Sequence, residues 1–207
     1  MNKSRLTSTV KVRVGWPAAT DDLSGVASYA VHNSVNGGAW TKITGSTTAR
    51  TLDRSLSIGS KYRYRVRATD RAANTSAWRD GPQIVPRRYQ ENHKKITFSS
   101  GWKRVAVSGA SGGRTRYATK SGAWAKYTFT GRALAVVAPK SSGRGSVKVY
   151  IDGVHVKTVS TQRAKTQSKV LVYTKAWAQP GTHTVKLVVV GTKGHPRFDL
   201  DALLVLK

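Results

Sequence analysis

LSIGSKYRYRVRATD, residues 56–70, decides the fold. A turn glycine, Gly59, precedes a run in which Tyr62, Tyr64 and Val66 alternate with Arg63, Arg65 and Arg67. That period of two sends successive side chains to opposite faces of a strand. Aromatic and β-branched residues on one face and guanidinium groups on the other describe a strand half buried in a sheet. A tyrosine that opens such a strand just after a turn is also the arrangement of a tyrosine corner, in which the phenol hydroxyl ties back to backbone upstream.

The same alternation recurs outward in both directions, as in Val10, Val12, Val14 and Trp16, and again in Val185, Leu187 and Val189. No window of eleven residues sustains apolar positions at i, i+3, i+4 and i+7, so the fold class is all-β, two tandem β-sandwiches. In the first half the strand candidates are 9–16, 28–35, 39–44, 49–53, 61–70 and 75–78. Asn36-Gly37-Gly38 between two of them reads as a hairpin turn, since Asn and Gly tolerate positive φ. Residues 86–95 carry two charge clusters, a proline and the lone glutamate, Glu91, and interrupt the pattern. The expected division is a domain over 1–87, a linker over 88–95 and a second domain over 96–207. In that second half the strand candidates are 96–98, 104–107, 116–119, 123–130, 133–138, 146–151, 154–160, 169–173, 182–190 and 197–206. So many short strands in so few residues suit a jelly roll.

Composition narrows the function classes. The chain has 36 Lys and Arg against 9 Asp and Glu, a net charge of +27, shared as +10 before residue 89 and +17 after it. A field of that size concentrates polyanions without naming one. Nucleic acid, acidic polysaccharide and anionic cell-surface polymers all fit the charge. No nucleic-acid-binding motif appears, so no specific nucleic-acid partner is expected. There is no cysteine, which excludes disulfides and thiolate metal sites. MNKSRLTSTV lacks the apolar core of an export signal, and no apolar run is long enough to span a membrane. An exported protein would then be longer than this chain.

Trp16, TDDLSGVASYAV (20–31), NGGAW (36–40) and YRYRVRATDRAANTSAW (62–78) together resemble a bacterial fibronectin type III domain over nearly all of the first half. That family's pattern has a strand before Val10, here short, degenerate or missing. GAWAKYTFTG (122–131), VKVYIDGVHVKTV (147–159), PGTHTVKLVVVGT (180–192) and RFDLDALLVL (197–206) resemble a galactose-binding-like, carbohydrate-binding-module-type sandwich. The pair of resemblances implies an extracellular or cell-surface setting. The second also implies a structural calcium in some members, with Asp152, Asp199 and Asp201 as the weak candidates and no other cofactor.

Catalysis finds little support. Asp21 and Asp22 read as a turn, Asp199 and Asp201 share a strand face that continues into the core, and the five histidines lack metal-ligand spacing. No serine lies in a nucleophile-elbow motif. The chain is therefore expected not to be an enzyme. Binding has better candidates: sugar rings stack on exposed aromatics, and phase places Trp124 outward beside Lys126, opposite Tyr127 and Phe129. Tyr117, flanked by Arg114 and Arg116, could extend that platform. Arg63, Arg65 and Arg67 form a candidate polyanion stripe, or simply a charged sheet face that protects against edge pairing. The expected function is a non-catalytic accessory region that binds polysaccharide or cell-wall glycan. The alternatives are a self-associating structural or adhesive stalk and, below it, a nonspecific polyanion binder.

Overall fold

The structure is a computed structural model, and it describes residues 5–207. Among the described residues there is no helix, and the chain forms sixteen strands. It divides into two compact units, Thr9–Pro86 and Arg87–Lys207, with the described residues before Thr9 counted in the second.

The first unit contains β1 (Thr9–Gly15), β2 (Val26–Val35), β3 (Thr41–Thr47), β4 (Thr51–Ser57), β5 (Tyr62–Asp70) and β6 (Arg79–Asp80). They form two sheets, β1-β4 and β3-β2-β5-β6. Val10, Val12, Val31, Leu56, Tyr62 and Tyr64 are buried, one residue in two along β1 and the start of β5 as the alternation requires, whereas β2 buries Tyr29, Ala30 and Val31 in succession. Asn36 and Gly37 both have positive φ, 54° and 81°, and Gly38 donates its N–H to the Val35 carbonyl, so the β2–β3 hairpin turns as the sequence indicates. The Tyr62 hydroxyl accepts the Ser57 N–H at 2.8 Å. The segment 75–78 is not a full strand: Thr75 makes one bridge to Thr69, and the ladder resumes only at β6.

The second unit contains β7 (Pro86–Gln90), β8 (Ile96–Phe98), β9 (Lys103–Ala106), β10 (Arg114–Ala118), β11 (Trp124–Lys140), β12 (Ser146–Ile151), β13 (Val154–Ser160), β14 (Gln167–Val189), β15 (Phe198–Leu200) and β16 (Ala202–Leu206). The larger sheet runs β13-β12-β14-β11-β16-β7, with β8 also on β11, and the smaller runs β15-β10-β9. Phe198, Leu187, Leu200, Val149 and Tyr127 are among the side chains of the core.

Three features differ from the sequence reading. Residues 88–95 are structured: β7 lies beside β16, and the buried Glu91 donates its N–H to the Asp201 carbonyl. The segments 123–130 and 133–138 are one strand, as are 169–173 and 182–190, each continuous through an irregularity near Gly131 and Gly181. Gly131 there answers a close approach, not a turn, because a Cβ would lie 2.6 Å from the Leu206 carbonyl oxygen. Finally, Leu6 donates its N–H to the Lys169 carbonyl at 2.6 Å, so the described residues before Thr9 belong to the second unit.

Candidate functional site

The second unit holds a cavity of about 220 Å³ at an edge of β11. On that edge β8 pairs with Ala125–Tyr127 and β16 with Ala133–Val137, so residues 128–132 lie between the two partners. The Trp124 and Lys126 carbonyls accept bonds from Ser99 and Thr97, which fixes the even-numbered backbone groups toward this edge and turns those of Thr128 and Thr130 to the cavity. Because the cavity wraps a strand edge, neighbours from both faces line it: Tyr127 and Phe129 from the core side, Thr128 and Thr130 from the other.

Its aromatic wall is continuous. Tyr89 packs on Tyr127 at 5.1 Å, His93 stands edge-on to Tyr89 at 4.8 Å, and Tyr127 stacks on Phe129 at 5.9 Å. Burial, then the adjacent Tyr89 phenol, pushes the Tyr127 hydroxyl well above the ordinary phenol range, so it stays protonated. Burial, then Lys95 and Lys94, lowers the His93 pKa. The neutral imidazole accepts the Lys95 N–H at Nδ1, 3.3 Å away, which leaves Nε2–H as a donor. Lys95 and Lys207 also line the cavity, as does Thr182, whose hydroxyl lies 3.0 Å from that of Thr130. Among the described residues that line it none has an acidic side chain. The site thus offers apolar rings, hydroxyl and imidazole donors, and two cations.

The sequence candidates fall in other places. Trp124 is half-buried, with Lys126 and Lys186 ammonium groups 6.0 and 5.6 Å from its ring centre. It lies about 13 Å from Thr128 along β11. Tyr117, Arg114 and Arg116 are on β10, in the smaller sheet, and do not extend that platform. Arg116 lies over Phe98 at 4.5 Å, and Phe98 pairs with Ala125, so Arg116 and Trp124 are on opposite faces of β11. Tyr117 is covered by Arg197 at 3.8 Å, and Arg114 is exposed at the start of its strand. Arg63, Arg65 and Arg67 do share one face of β5, but Arg65 and Arg67 lie over tryptophan rings.

The three calcium candidates do not converge. Asp152 holds a hairpin to β14, accepting from the Thr184 N–H and His183 Nδ1, both at 2.7 Å. Asp199 is fully buried against Arg144, Arg197 and Thr115, which supply the positive charge and donor it needs. Among the described residues no cluster of three or more His, Cys, Asp or Glu could hold a metal. Of the three, only Asp201 has surroundings that a hard cation suits. Its Oδ2 and the Gln90 Oε1 are buried without hydrogen-bond partners, Glu91 is backbone-bonded to it, and Ser111 bridges Gln90 to its Oδ1.

No family model matches the chain. Over 91 residues it is 34% identical to the A type blood alpha-D-galactosamine galactosaminidase of Flavonifractor plautii, a stretch covering 44% of this chain and 8% of that protein. Over 70 residues it is 40% identical to Endoglucanase B of Cellulomonas fimi, covering 34% of this chain and 7% of that protein. The chain therefore spans less than a tenth of either curated relative. Among solved structures it is similar to the CBM36-1 domain of a multidomain xylanase from the hindgut metagenome of Trinervitermes trinervoides, with a TM-score of 0.42 and 16% identity over 59% of this chain and 96% of that one. It is likewise similar to the family 35 carbohydrate binding module from Clostridium thermocellum, with a TM-score of 0.41 and 13% identity over 57% of this chain and 97% of that one.

Proposed function

We propose that the second unit is a non-catalytic glycan-binding module of an extracellular protein, and that the first is a fibronectin type III-like spacer. The observation that carries this reading is the cavity in which Tyr89, His93, Tyr127 and Phe129 form one aromatic wall under a rim of hydroxyls and lysines. The half-buried rings of Tyr89 and His93, backed by the buried Tyr127 and Phe129, can take the C–H face of a sugar, and the rim takes its hydroxyls. At about 220 Å³ the space is below the ~300–1,000 Å³ of pockets that enclose drug-sized ligands, so it suits one sugar ring of a longer chain. The local likeness to stretches of a galactosaminidase and an endoglucanase supports the same ligand class. Calcium, where bound, belongs at the unpartnered oxygens of Gln90 and Asp201, the Glu91 carboxylate beside them being paired with Arg104 at 2.7 Å.

Calorimetric titration of the whole chain with galactose, N-acetylgalactosamine and cello-oligosaccharides tests the proposal. Tyr89→Ala should weaken binding up to about tenfold, in line with the ~0.5–1.5 kcal/mol of one stacking ring. Trp124→Ala should change it less than about twofold; the reverse ranking moves the site to the Trp124 platform, and no binding by the native chain overturns the reading. Melting in CaCl2 against EDTA tests the cation, with Asp201→Asn expected to abolish any calcium-dependent rise.

A second reading, a self-associating surface element, rests on β13. This strand is at the end of the larger sheet, and its Val154 and Val156 are exposed, a combination open to pairing with a second copy. A concentration-dependent increase in mass that Val156→Lys removes would favour it.

A further inference from the structure

We propose that the outer face of the four-stranded sheet in the first unit binds the sulfate or phosphate ester groups of a charged polysaccharide. The site is separate from the cavity and does not depend on it.

The register assembles the cations. Lys42 of β3, His32 of β2 and Arg65 of β5 are direct cross-strand neighbours, and Arg63 and Arg67 flank Arg65 on the same face. Like charges opposed on a sheet destabilise it. The carboxylate that an ion pair brings to this face is Asp80, which reaches Arg63 at 4.0 Å and is opposite Arg65 on β6. One acid against four cations leaves the face strongly positive.

His32 adds no compensation. Its Nδ1 is 3.2 Å from the Arg65 guanidinium, and burial, then Arg65, Arg67 and Lys42, lowers its pKa, so the ring remains neutral. The groups that surround it from β3 and β5 are all cationic, and Trp78 closes its remaining side at 4.4 Å.

The tryptophans hold the charges in place. Arg65 lies between Trp40 and Trp78, at 4.6 and 4.4 Å, and Arg67 lies over Trp78 at 4.8 Å. Stacking fixes the guanidinium planes, with the Nε atoms of Arg65 and Arg67 buried beneath the tryptophan rings. A guanidinium held in a fixed plane matches the oxygens of an ester anion and loses little side-chain entropy on binding. Single-stranded nucleic acid fits less well, because it needs free ring faces for its bases. Those of Trp78 are already covered by Arg65, Arg67 and His32.

The test is titration of the full chain with dextran sulfate and with dextran phosphate, each beside unmodified dextran, at about 150 mM and higher NaCl. Lys42→Gln with Arg67→Gln should weaken ester binding about tenfold and lower the slope of log K against log salt by roughly two. Arg67→Lys, which keeps the charge and loses the fork, should weaken it about fourfold. A control pair on the second unit, Lys148→Gln with Lys157→Gln, should change it less than about twofold, and Tyr89→Ala should leave it unaltered. Unchanged near-ultraviolet circular dichroism certifies the fold of each variant. Which ester binds more tightly identifies the anion. Equal weakening by both charge-removing pairs, no ester binding by the native chain, or tighter binding of charge-matched single-stranded DNA overturns the proposal.

Discussion

Protonation of the Asp201 carboxyl makes stability depend on pH. Burial, and then the Glu91 carboxylate, raises its pKa from the ordinary 3.8 to about 6, although the Ser111 N–H works in the opposite direction. The folded chain then binds a proton that the unfolded chain has released. In calcium-free buffer this contribution is present below about pH 4 and is lost as pH rises through about 6, on the order of 3 kcal/mol over the window. Denaturant melts in EDTA should show that decline, and Asp201→Asn should flatten it while keeping the oxygen that accepts from Ser111. The motif-bearing side chains were legible at this scale. Tyr62 bonds to Ser57 as a turn followed by an alternating strand requires; Asp199 is buried as expected, but not through a shared phase, since 197–206 breaks into β15 and β16 in different sheets and residues of both phases there are buried.

At the scale of the element, strands and hairpins were readable because alternation and positive-φ residues are local signals. Gly131 shows where locality ends. Its sequence context, Thr-Gly-Arg, resembles a turn, yet its glycine is required by β16, some seventy residues later, whose Leu206 carbonyl crosses close to it. Gly131→Ala should therefore destabilise the second unit by about 1–3 kcal/mol, as overpacking against backbone does, measured as a lowered urea midpoint with an unchanged m value. Gly37→Ala meets nothing within 4 Å, and its cost comes from its φ of 81°, about 1 kcal/mol. The cavity was not legible for the same non-local reason. Tyr89, His93 and Lys95 come from a segment that reads as linker, Tyr127 and Phe129 from positions that read as core, and Lys207 from far along the chain. Only the sheet order brings them together. Trp124 was found by phase because phase reports which face a residue takes, but not which neighbours it meets.

For the molecule as a whole, a charge of +27 on 207 residues makes self-repulsion a general term. Salt screens it. The melting temperature should rise by roughly a few degrees between about 10 and 200 mM NaCl in scanning calorimetry, with a fall contradicting a repulsion-dominated surface. The same salt should weaken binding of ester polyanions, so stability and polyanion affinity are expected to move in opposite directions.

The place of β16 between β11 and β7 also sets an order of events during synthesis. The strand that opens the larger sheet, 86–90, finds its neighbour only at 202–206. The ribosome must therefore release over a hundred further residues before that edge can close. Until then the Ala133–Val137 stretch of β11 has no partner on one side. Thr9–Pro86 meets its own strands within its own span and can close much earlier. Translation arrested before Ala202 should leave the later unit sensitive to protease and the earlier one resistant.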